Sequence, residues 1–593
     1  MTAYNAPVQD MLFAMREIGD LGAVSALPGF EDATDDLAVA ILDEAAKFAG
    51  EVLAPLNHSA DRQGCRWKDG VVTTPEGIRD AYRAFCENGW NAMPASVEHG
   101  GQGLPSIVST PVLEMWKASN MAFSLCQMLT LGAVAAIDHH GSDEQKTTYL
   151  PKMVEGVWTG TMNLTEPQAG SDLAAVRTRA TPEGDAYRIT GTKIFITLGE
   201  NDVAENIVHL VLARLPDAPP GVKGISLFLV PKFLVNADGS LGARNDLVCS
   251  SIEHKLGIHG SPTAVMSFGD NGGALGTLIG EPNRGLEYMF TMMNHARLNV
   301  GLEGVAISER AFQQARDYAR SRVQGRPLNA PAGAPIAYHP DVRRMLLDMK
   351  SRIEAMRALA YFTAGRMDMA HAHADAATRK SAQTLVNLLT PIVKGWCTES
   401  AIQITSTGVQ VHGGVGFVEE TGAAQHFRDA RITTIYEGTT AIQANDLVGR
   451  KTAKDGGETF AALIATMRGD IAGWKADATL APLAVALEGG IAALESGVCF
   501  IVDNNAPAPE LVAAAAVPFL HLSGTVVGGW LISRQAASAL AQLGASGVDA
   551  AFLNGKIATA KHYAEHVLPH ADAYRRAVTA GAEDVAAFDQ AWL

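Results

Sequence analysis

The sequence predicts an α+β fold in which helices predominate and a single β domain interrupts them. Apolar residues recur at helical spacing in the first part of the chain, and short runs of β-branched and aromatic residues follow. Helical spacing then returns and continues to the C-terminus. With 593 residues, 47% of them hydrophobic, the chain is long enough for several domains with separate cores.

The first domain is predicted to be helical and to follow an irregular extension over residues 1–34. Residues 35–51 and 75–89 carry apolar side chains at helical spacing, and residues 122–137 are nearly all apolar. We therefore assign residues 35–157 to an N-terminal helical domain.

The middle domain, residues 158–280, is predicted to consist of β-strands. Glycine, proline and aspartate separate its short apolar runs, as turns separate strands. The predicted strands cover residues 187–197, 207–213, 225–230 and 264–268.

Helices are predicted again from residue 281 to residue 455, and in a further domain over residues 456–593, with a linker at residues 451–458. The clearest helix has a stripe of apolar residues three and four positions apart, which is typical of a core-forming bundle helix: Val342, Met345, Leu346, Met349, Ile353, Met356 and Leu359. Residues 511–532 are the most apolar late segment. Pro518 and several glycines interrupt this segment, so we predict a buried, broken or kinked helix there and no membrane insertion.

Composition favours a cytoplasmic enzyme that acts on a small molecule. The formal net charge of −16 opposes binding to nucleic acid or to anionic membrane, because phosphates attract basic surfaces. The six cysteines are scattered without CxxC pairs or zinc-like spacing, so we expect reduced thiols and no metal site. The N-terminus lacks the basic start and apolar core of a secretion signal.

The segment Ile435–Thr440 is the most informative candidate site, because it places one carboxylate, Glu437, on a tight loop where a helix begins. Thr440 and Gln443 have the spacing of a capping box, and Gly438 permits close approach to a ligand. A glutamate beside a glycine is more often a solvated turn, so the assignment of Glu437 as a catalytic base depends on the rest of the chain.

Four other segments have chemistry suited to a nucleotide or flavin. They contain a polar loop, an aromatic ring and a hydroxyl two residues apart on a strand, clustered guanidinium groups and a glycine-rich turn. These segments are residues 162–172, 193–197, 320–326 and 410–416. The chain has no GxGxxG between strand and helix and no GxxxxGK[ST], which excludes the usual Rossmann and P-loop signatures.

Together these motifs closely resemble the acyl-CoA dehydrogenase family over roughly residues 35–454. The motifs are TEPQAGSD, KIFIT, EHKLGIHGS, RVQGRPL, QVHGGVGF, FRDARI and YEGTT, in this order. The resemblance implies an N-terminal helical domain, a β-barrel-like middle domain and a four-helix bundle. It also implies FAD bound noncovalently between these domains and across a subunit interface.

The resemblance further implies that Glu437 removes the α-proton of an acyl-CoA thioester, that FAD accepts the β-hydrogen as hydride, and that the product is a trans-2-enoyl-CoA. A carboxylate with an ordinary pKa near 4.3 is a weak base towards a C–H bond, so removal from water must strengthen it. Electron-transfer flavoprotein is the implied electron acceptor.

Further residues receive roles from the same motif match. Those expected at the flavin ring are Met162, Leu164, Thr165, Ser171, Phe195 and Thr197. Those expected at the adenine end, from the neighbouring subunit, are Arg322, Gln410, Gly413 and Gly414, and Thr439 is expected near the pyrophosphate. Those expected at the acyl-CoA are Ser171, Asn294, Arg297, Tyr436 and Gly438.

Some of these assignments have alternatives. Arg297 is equally suited to an ion pair within the bundle. The RVQGRPL segment is one residue shorter than the family pattern and lacks its phenylalanine, so Arg320 competes with Arg322. Gln168 and Phe195 stand where glycine and tryptophan are common in the family.

The extension over residues 456–593 resembles a bacterial branch of the family and favours a homodimer, since a helical domain can cover the surface that shorter members use to form tetramers. This branch includes an enzyme that oxidises 3-(methylthio)propanoyl-CoA to 3-(methylthio)acryloyl-CoA in dimethylsulfoniopropionate degradation, and the resemblance implies the same reaction here. Short- or medium-chain acyl-CoA oxidation in fatty-acid β-oxidation is the alternative. A DNA-associated flavoprotein with little turnover, and an oxidase in which reduced flavin meets oxygen, are alternatives of other classes.

Overall fold

The computed structural model describes residues 3–593, which separate into two compact units. One unit comprises the described residues up to Ala46, with Pro105–Ala118 and Val300–Leu593. The other comprises Lys47–Leu104 and Ser119–Asn299. The helices preceding the β domain are α1 (Val8–Glu17), α2 (Leu21–Val24), α3 (Asp35–Phe48), α4 (Ala54–Gln63), α5 (Ile78–Glu87), α6 (Ser106–Ser119), α7 (Met121–His140) and α8 (Asp143–Glu155).

Most strands follow α8, and together they confirm the predicted β domain. The strands are β1 (Arg66–Lys68), β2 (Val71–Thr73), β3 (Trp158–Asn163), β4 (Arg179–Glu183), β5 (Ala186–Thr197), β6 (Asn206–Arg214), β7 (Ile225–Pro231), β8 (Phe233–Val235), β9 (Leu241–Arg244), β10 (Leu247–Ile252), β11 (Thr263–Phe268) and β12 (Ala274–Ile279).

The main sheet has the order β10-β11-β5-β12-β7-β6-β3, and β4 pairs with both β5 and β6. In this order β12 and β7 lie between β5 and β6. Because β4 pairs with both β5 and β6, the strands β4, β5, β12, β7 and β6 close into a small barrel. The hydrophobic core of the β domain includes the fully buried Ile189, Val211, Phe228 and Met266. The barrel thus supplies a rigid support for the loops at its strand ends.

The remaining helices confirm the bundle and the additional helical region. They are α9 (Gly285–Ser321), α10 (Pro340–Ala372), α11 (Ala376–His412), α12 (Ala423–Ala430), α13 (Thr440–Asn445), α14 (Glu458–Trp474), α15 (Ala481–Asn504), α16 (Pro509–Gln542), α17 (Ala550–His562), α18 (His570–Thr579) and α19 (Gly581–Ala586). On α10, the predicted apolar stripe is buried at Met345, Met349, Ile353, Met356 and Leu359.

Three local predictions differ in part from the structure. The N-terminal extension is not irregular, because it contains α1, in which Met11 through Met15 are all buried. The segment at 451–458 is helical at both ends, since a π-helix runs to Ala453 and α14 begins at Glu458. The late apolar segment is a buried helix, as predicted, but it is not broken, because α16 continues through Pro518.

Within residues 3–593, three helices are long and apolar enough to cross a membrane by length and composition alone, namely α7, α15 and α16. Within the fold, 83% of the most apolar window of α7, 44% of that of α15 and 67% of that of α16 are buried. The cores of α7 and α16 therefore serve mainly as packing surfaces.

Gly524 on α16 lies directly against the Trp396 side chain of α11. A Cβ at Gly524 would lie 2.1 Å from Cγ of Trp396, whereas a Cβ at Gly489 on α15 would meet no atom within 4 Å. We expect Gly524→Ala to lower the free energy of unfolding by about 1–3 kcal/mol through overpacking. Gly489→Ala, the matched control, should be neutral or stabilising by about 0.5–1 kcal/mol. Equal chemical-denaturation midpoints for the two variants would contradict this prediction.

Candidate active site

Glu437 has a backbone conformation that non-glycine residues rarely adopt. Its φ is +56°, and it is one of eight non-glycine residues with positive φ among residues 3–593. Such a conformation costs about 1–3 kcal/mol and persists only where its surroundings enforce it. Phe195 (φ +60°) and Ile258 (φ +47°), in two other family-like motifs, belong to the same group. Three of these eight strained positions thus lie in segments that the sequence marked as functional.

Three hydrogen bonds hold the loop that carries Glu437. The Tyr436 hydroxyl donates to Oε2 of Glu303 on α9. The Thr440 hydroxyl donates to Oε1 of Glu399 on α11 at 2.5 Å. Gln443 Nε2 donates to the Glu437 carbonyl oxygen at 3.1 Å. The loop is therefore fixed on both sides of Glu437.

The helix after Glu437 is capped by Thr439, one residue before the predicted cap at Thr440. The Thr439 hydroxyl accepts from the backbone N–H of Ile442 at 3.3 Å, and Thr439 has the extended φ/ψ of a cap. At Gly438, φ is +87°, and a Cβ would lie 2.6 Å from Gln443 Nε2. Glycine is therefore required for close packing against Gln443.

Phe195 lies at a bulge in β5. The pairing with β11 shifts between Ala264 and Met266, opposite this position. Because a bulge interrupts the alternation of side chains, Lys193 is buried while Phe195 is 59% exposed. Thr197, the other predicted flavin contact on this strand, is half-buried.

A buried ion pair holds the loop after β3 against β5. Lys193 Nζ donates to Glu166 Oε1 at 2.8 Å and to the Leu164 carbonyl oxygen at 3.0 Å. The backbone N–H of Ile194 donates to the Thr165 carbonyl oxygen at 2.9 Å. The structure thus brings together Leu164 and Thr165 with the strand that carries Phe195.

The protonation of this pair follows from its contacts. Burial alone would raise the pKa of Glu166, but Lys193, the Thr178 hydroxyl and the backbone N–H of Arg177 lower it to about 2. Burial lowers the pKa of Lys193 to about 8, and Glu166 opposes that change. Gln168, which stands where the family commonly has glycine, donates to Glu166 Oε2 at 2.5 Å and so adds to the same cluster.

The predicted adenine-binding residues lie in the other unit and are exposed. Gly413 ends α11 with φ +62°, and a Cβ at Gly413 or Gly414 would meet no atom within 4 Å. Gln410 is exposed on the last turn of α11. Arg320 lies in the last turn of α9 and Arg322 lies just after the helix ends, and both are exposed. Exposure therefore does not decide which of the two arginines binds the adenine end.

Asn294 and Arg297 lie one helical turn apart on α9. Asn294 is exposed and Arg297 is buried. Arg297 Nη1 donates to Asn294 Oδ1 at 3.5 Å, and its guanidinium carbon lies 5.8 Å from the Phe290 ring centroid. These contacts orient Arg297 within its own helix.

The described residues have the chemistry that FAD requires. An exposed aromatic side chain at Phe195 can pack on a flat ring, and the bare backbone at Gly413 and Gly414 permits close approach of a nucleotide. Arg322 supplies charge for phosphates. The half-buried Met162 and the exposed Ser171 border the polar loop after β3. We found no conflict between these residues and a bound flavin.

Sequence reasoning gave no role to Glu303, Glu166 or Lys193. Each is an isolated charged residue in an otherwise apolar stretch or a tight loop, and all three are fully buried or nearly so. A charge at a buried position is the signal that could have identified them, because burying an unpaired charge is costly.

Family models match almost the whole chain. Their descriptions are acyl-CoA dehydrogenase, N-terminal domain (residues 36–157), middle domain (161–271) and C-terminal domain (283–451), and acetyl-CoA dehydrogenase C-terminal like (461–589).

Individual relatives cover the full length. The chain is 49% identical to the 3-methylmercaptopropionyl-CoA dehydrogenase of Ruegeria pomeroyi, over 97% of this chain and 98% of that protein. It is 38% identical to a butyryl-CoA dehydrogenase of Syntrophomonas wolfei, over 95% of each chain. The crystal structure of an acyl-CoA dehydrogenase complexed with FAD from Bacillus anthracis has a similar fold, with TM-score 0.74, 20% identity and coverage of 94% of this chain and 90% of that one.

Proposed function

Because the chain belongs to the acyl-CoA dehydrogenase family, we propose that it oxidises 3-(methylthio)propanoyl-CoA to 3-(methylthio)acryloyl-CoA. The observation that carries this proposal is the 49% identity to a 3-methylmercaptopropionyl-CoA dehydrogenase, which extends over 97% of the chain and thus includes the C-terminal region.

The chain is an FAD-dependent acyl-CoA dehydrogenase, and we propose Glu437 as its base. Oxidation removes a proton from the α-carbon and a hydrogen with its electron pair from the β-carbon, leaving a carbon–carbon double bond. Bound FAD supplies the acceptor for that electron pair. The protein must present a carboxylate to the α-proton in a fixed position, and the strained, hydrogen-bonded loop at Glu437 is suited to that task.

We propose that Phe195, Thr165 and Thr197 contact the flavin ring and that Arg322, Gly413 and Gly414 contact its adenine end. Tyr436 and Gly438 flank the base and are proposed at the thioester, with Ser171, Asn294 and Arg297 at the acyl-CoA. The adenine contact is tested by measuring how much flavin the protein retains after gel filtration. The test variant is Gly413→Val, and Val222→Ala, an exposed position in the β domain, is the control.

The substrate is tested by anaerobic flavin bleaching with a panel of acyl-CoA thioesters. Pentanoyl-CoA is the matched control, since it differs from 3-(methylthio)propanoyl-CoA only by a methylene in place of sulfur. We expect kcat/KM to be highest for the thioether, with pentanoyl-CoA next. Octanoyl-CoA should be lower by about 10–200-fold or more, because each methylene that a pocket cannot accept costs about 1–3 kcal/mol.

A preference for butanoyl-CoA over both five-atom chains would contradict the proposed substrate and favour short-chain oxidation, as named for the Syntrophomonas relative. Turnover of the whole panel at similar kcat/KM would contradict it equally. Either result would leave the family assignment intact.

We also propose a cytoplasmic homodimer that passes electrons to electron-transfer flavoprotein. The resemblance to the extended bacterial branch supports this proposal, and the net charge of −16 argues against the DNA-associated alternative. Light scattering of the holoenzyme tests the dimer, and peroxide formation without added acceptor would identify oxidase behaviour.

A further inference from the structure

Glu303 lies fully buried on α9, in the same compact unit as Glu437. The helix approaches α11 closely on both sides of this residue. A Cβ at Gly301 would lie 2.6 Å from the Val393 side chain, and a Cβ at Gly304 would lie 2.7 Å from the Cys397 carbonyl oxygen. The position of the Glu303 carboxylate is therefore fixed by backbone packing.

Two buried lysines interact electrostatically with this carboxylate. Lys117 on α6 and Lys394 on α11 are 1% and 0% exposed, and both interact electrostatically with Glu303. Lys394 Nζ also donates to the carbonyl oxygen of Thr433 at 2.8 Å, and Thr433 lies just before the loop that carries Glu437. A buried carboxylate between cations is costly to assemble and contributes little to stability relative to apolar packing, so a functional role is favoured.

This carboxylate accepts a hydrogen bond from the hydroxyl of Tyr436, the residue immediately before Glu437. We propose that Glu303 is a positioning residue for Glu437, acting through Tyr436. The inference rests on the proposed role of Glu437 as the base. An ionised carboxylate binds a phenol more strongly than a neutral amide or acid does, so the charge of Glu303 determines how firmly the loop is held.

Two buried groups of this site, Glu303 and Lys117, have pKa values near neutrality. Burial raises the pKa of Glu303 to about 7, while Lys117, Tyr436 and Lys394 oppose that rise. Burial lowers the pKa of Lys117 to about 8, and Glu303 opposes that change. Burial, Glu303 and Glu437 raise the pKa of Tyr436, so the phenol remains a donor. Glu303 is therefore the group whose ionisation strengthens the loop anchor as pH rises through about 7.

The test is Glu303→Gln in the FAD-loaded full-length enzyme, measured with 3-(methylthio)propanoyl-CoA and butanoyl-CoA between pH 6 and 9. We expect kcat to fall about tenfold, the equivalent of about 1.4 kcal/mol, with KM nearly unchanged. The rise of kcat through about pH 7 should be reduced relative to wild type. Glu287→Gln, an exposed carboxylate change on the same helix, should leave kcat, KM and the pH profile unchanged.

Tyr436→Phe removes only the phenol oxygen and provides a second route to the same test if Glu303→Gln fails to fold. It should give the same loss of kcat, and the double variant should lose no more than either single one. Wild-type kcat and pH profile in both single variants, with or without a lower melting temperature, would overturn the proposal. Glu437→Gln distinguishes the two failures: if that variant is active, the assigned base is wrong, and if it is inactive, only the role of Glu303 is.

Discussion

Glu437→Gln is expected to abolish proton abstraction while FAD remains bound. The amide keeps the shape of the carboxylate but has no useful basicity, and a positioned general base contributes about 10²–10⁴-fold to a rate. Because the substitution leaves the hydrogen bonds of Tyr436, Thr440 and Gln443 intact, the loop should keep its conformation. Anaerobic bleaching of the flavin by substrate measures the chemical step, and the visible spectrum measures retained FAD.

Glu437→Asp is the matched control, since it keeps the carboxylate and shortens its reach by one methylene. It should retain more activity than Glu437→Gln at the same flavin content. Bleaching by Glu437→Gln within a few-fold of the wild-type rate would remove Glu437 from the mechanism. Loss of FAD from that variant would instead show that the side chain supports cofactor binding.

Where apolar spacing had a clear period, the sequence was sufficient to predict the fold. The stripe on α10 became a buried face of the predicted helix, and two of the short apolar runs of the β domain became the buried strands β6 and β7. The helix α1 was missed because Met11 through Met15 form a continuous apolar run, in which the helical period cannot be seen. Closure of the barrel by β4 depends on pairing between distant strands, which local spacing does not encode.

Short motifs were the source of every site residue that the sequence proposed. Glu437 and Phe195 were identified from short motifs, and their unusual backbone angles add a physical reason for attention to both. The residues that hold these motifs in place could not be identified, because their partners are far away in sequence. Glu303 is 133 positions from Tyr436, and Lys193 is 27 positions from Glu166. The cap at Thr439 was displaced by one residue because adjacent threonines have equal capping chemistry, and backbone angles choose between them.

Lys193→Met is expected to destabilise the β domain strongly. It leaves the Glu166 carboxylate buried without its ammonium partner and removes the bond to the Leu164 carbonyl oxygen. Breaking a buried ion pair by removing one partner costs about 3–5 kcal/mol. The loop carrying Leu164 and Thr165 should loosen as well, so FAD should be retained less firmly. Chemical denaturation followed by fluorescence, and flavin content after gel filtration, measure the two effects.

If the unpaired charge of Glu166 causes the loss of stability in Lys193→Met, two further results are expected. Adding Glu166→Gln to Lys193→Met should recover part of the stability, because no unpaired charge then remains, whereas Glu183→Gln, at an exposed pair with Arg188, should change little. The pKa of Glu166 is about 2 in the folded protein against an ordinary value of 4.5, so its contribution is present above about pH 4.5 and is lost as pH falls towards 2. Wild type should therefore lose more stability than the double variant over that interval. A double variant less stable than Lys193→Met alone at pH 7 would contradict the argument, because packing rather than the unpaired charge would then determine the loss.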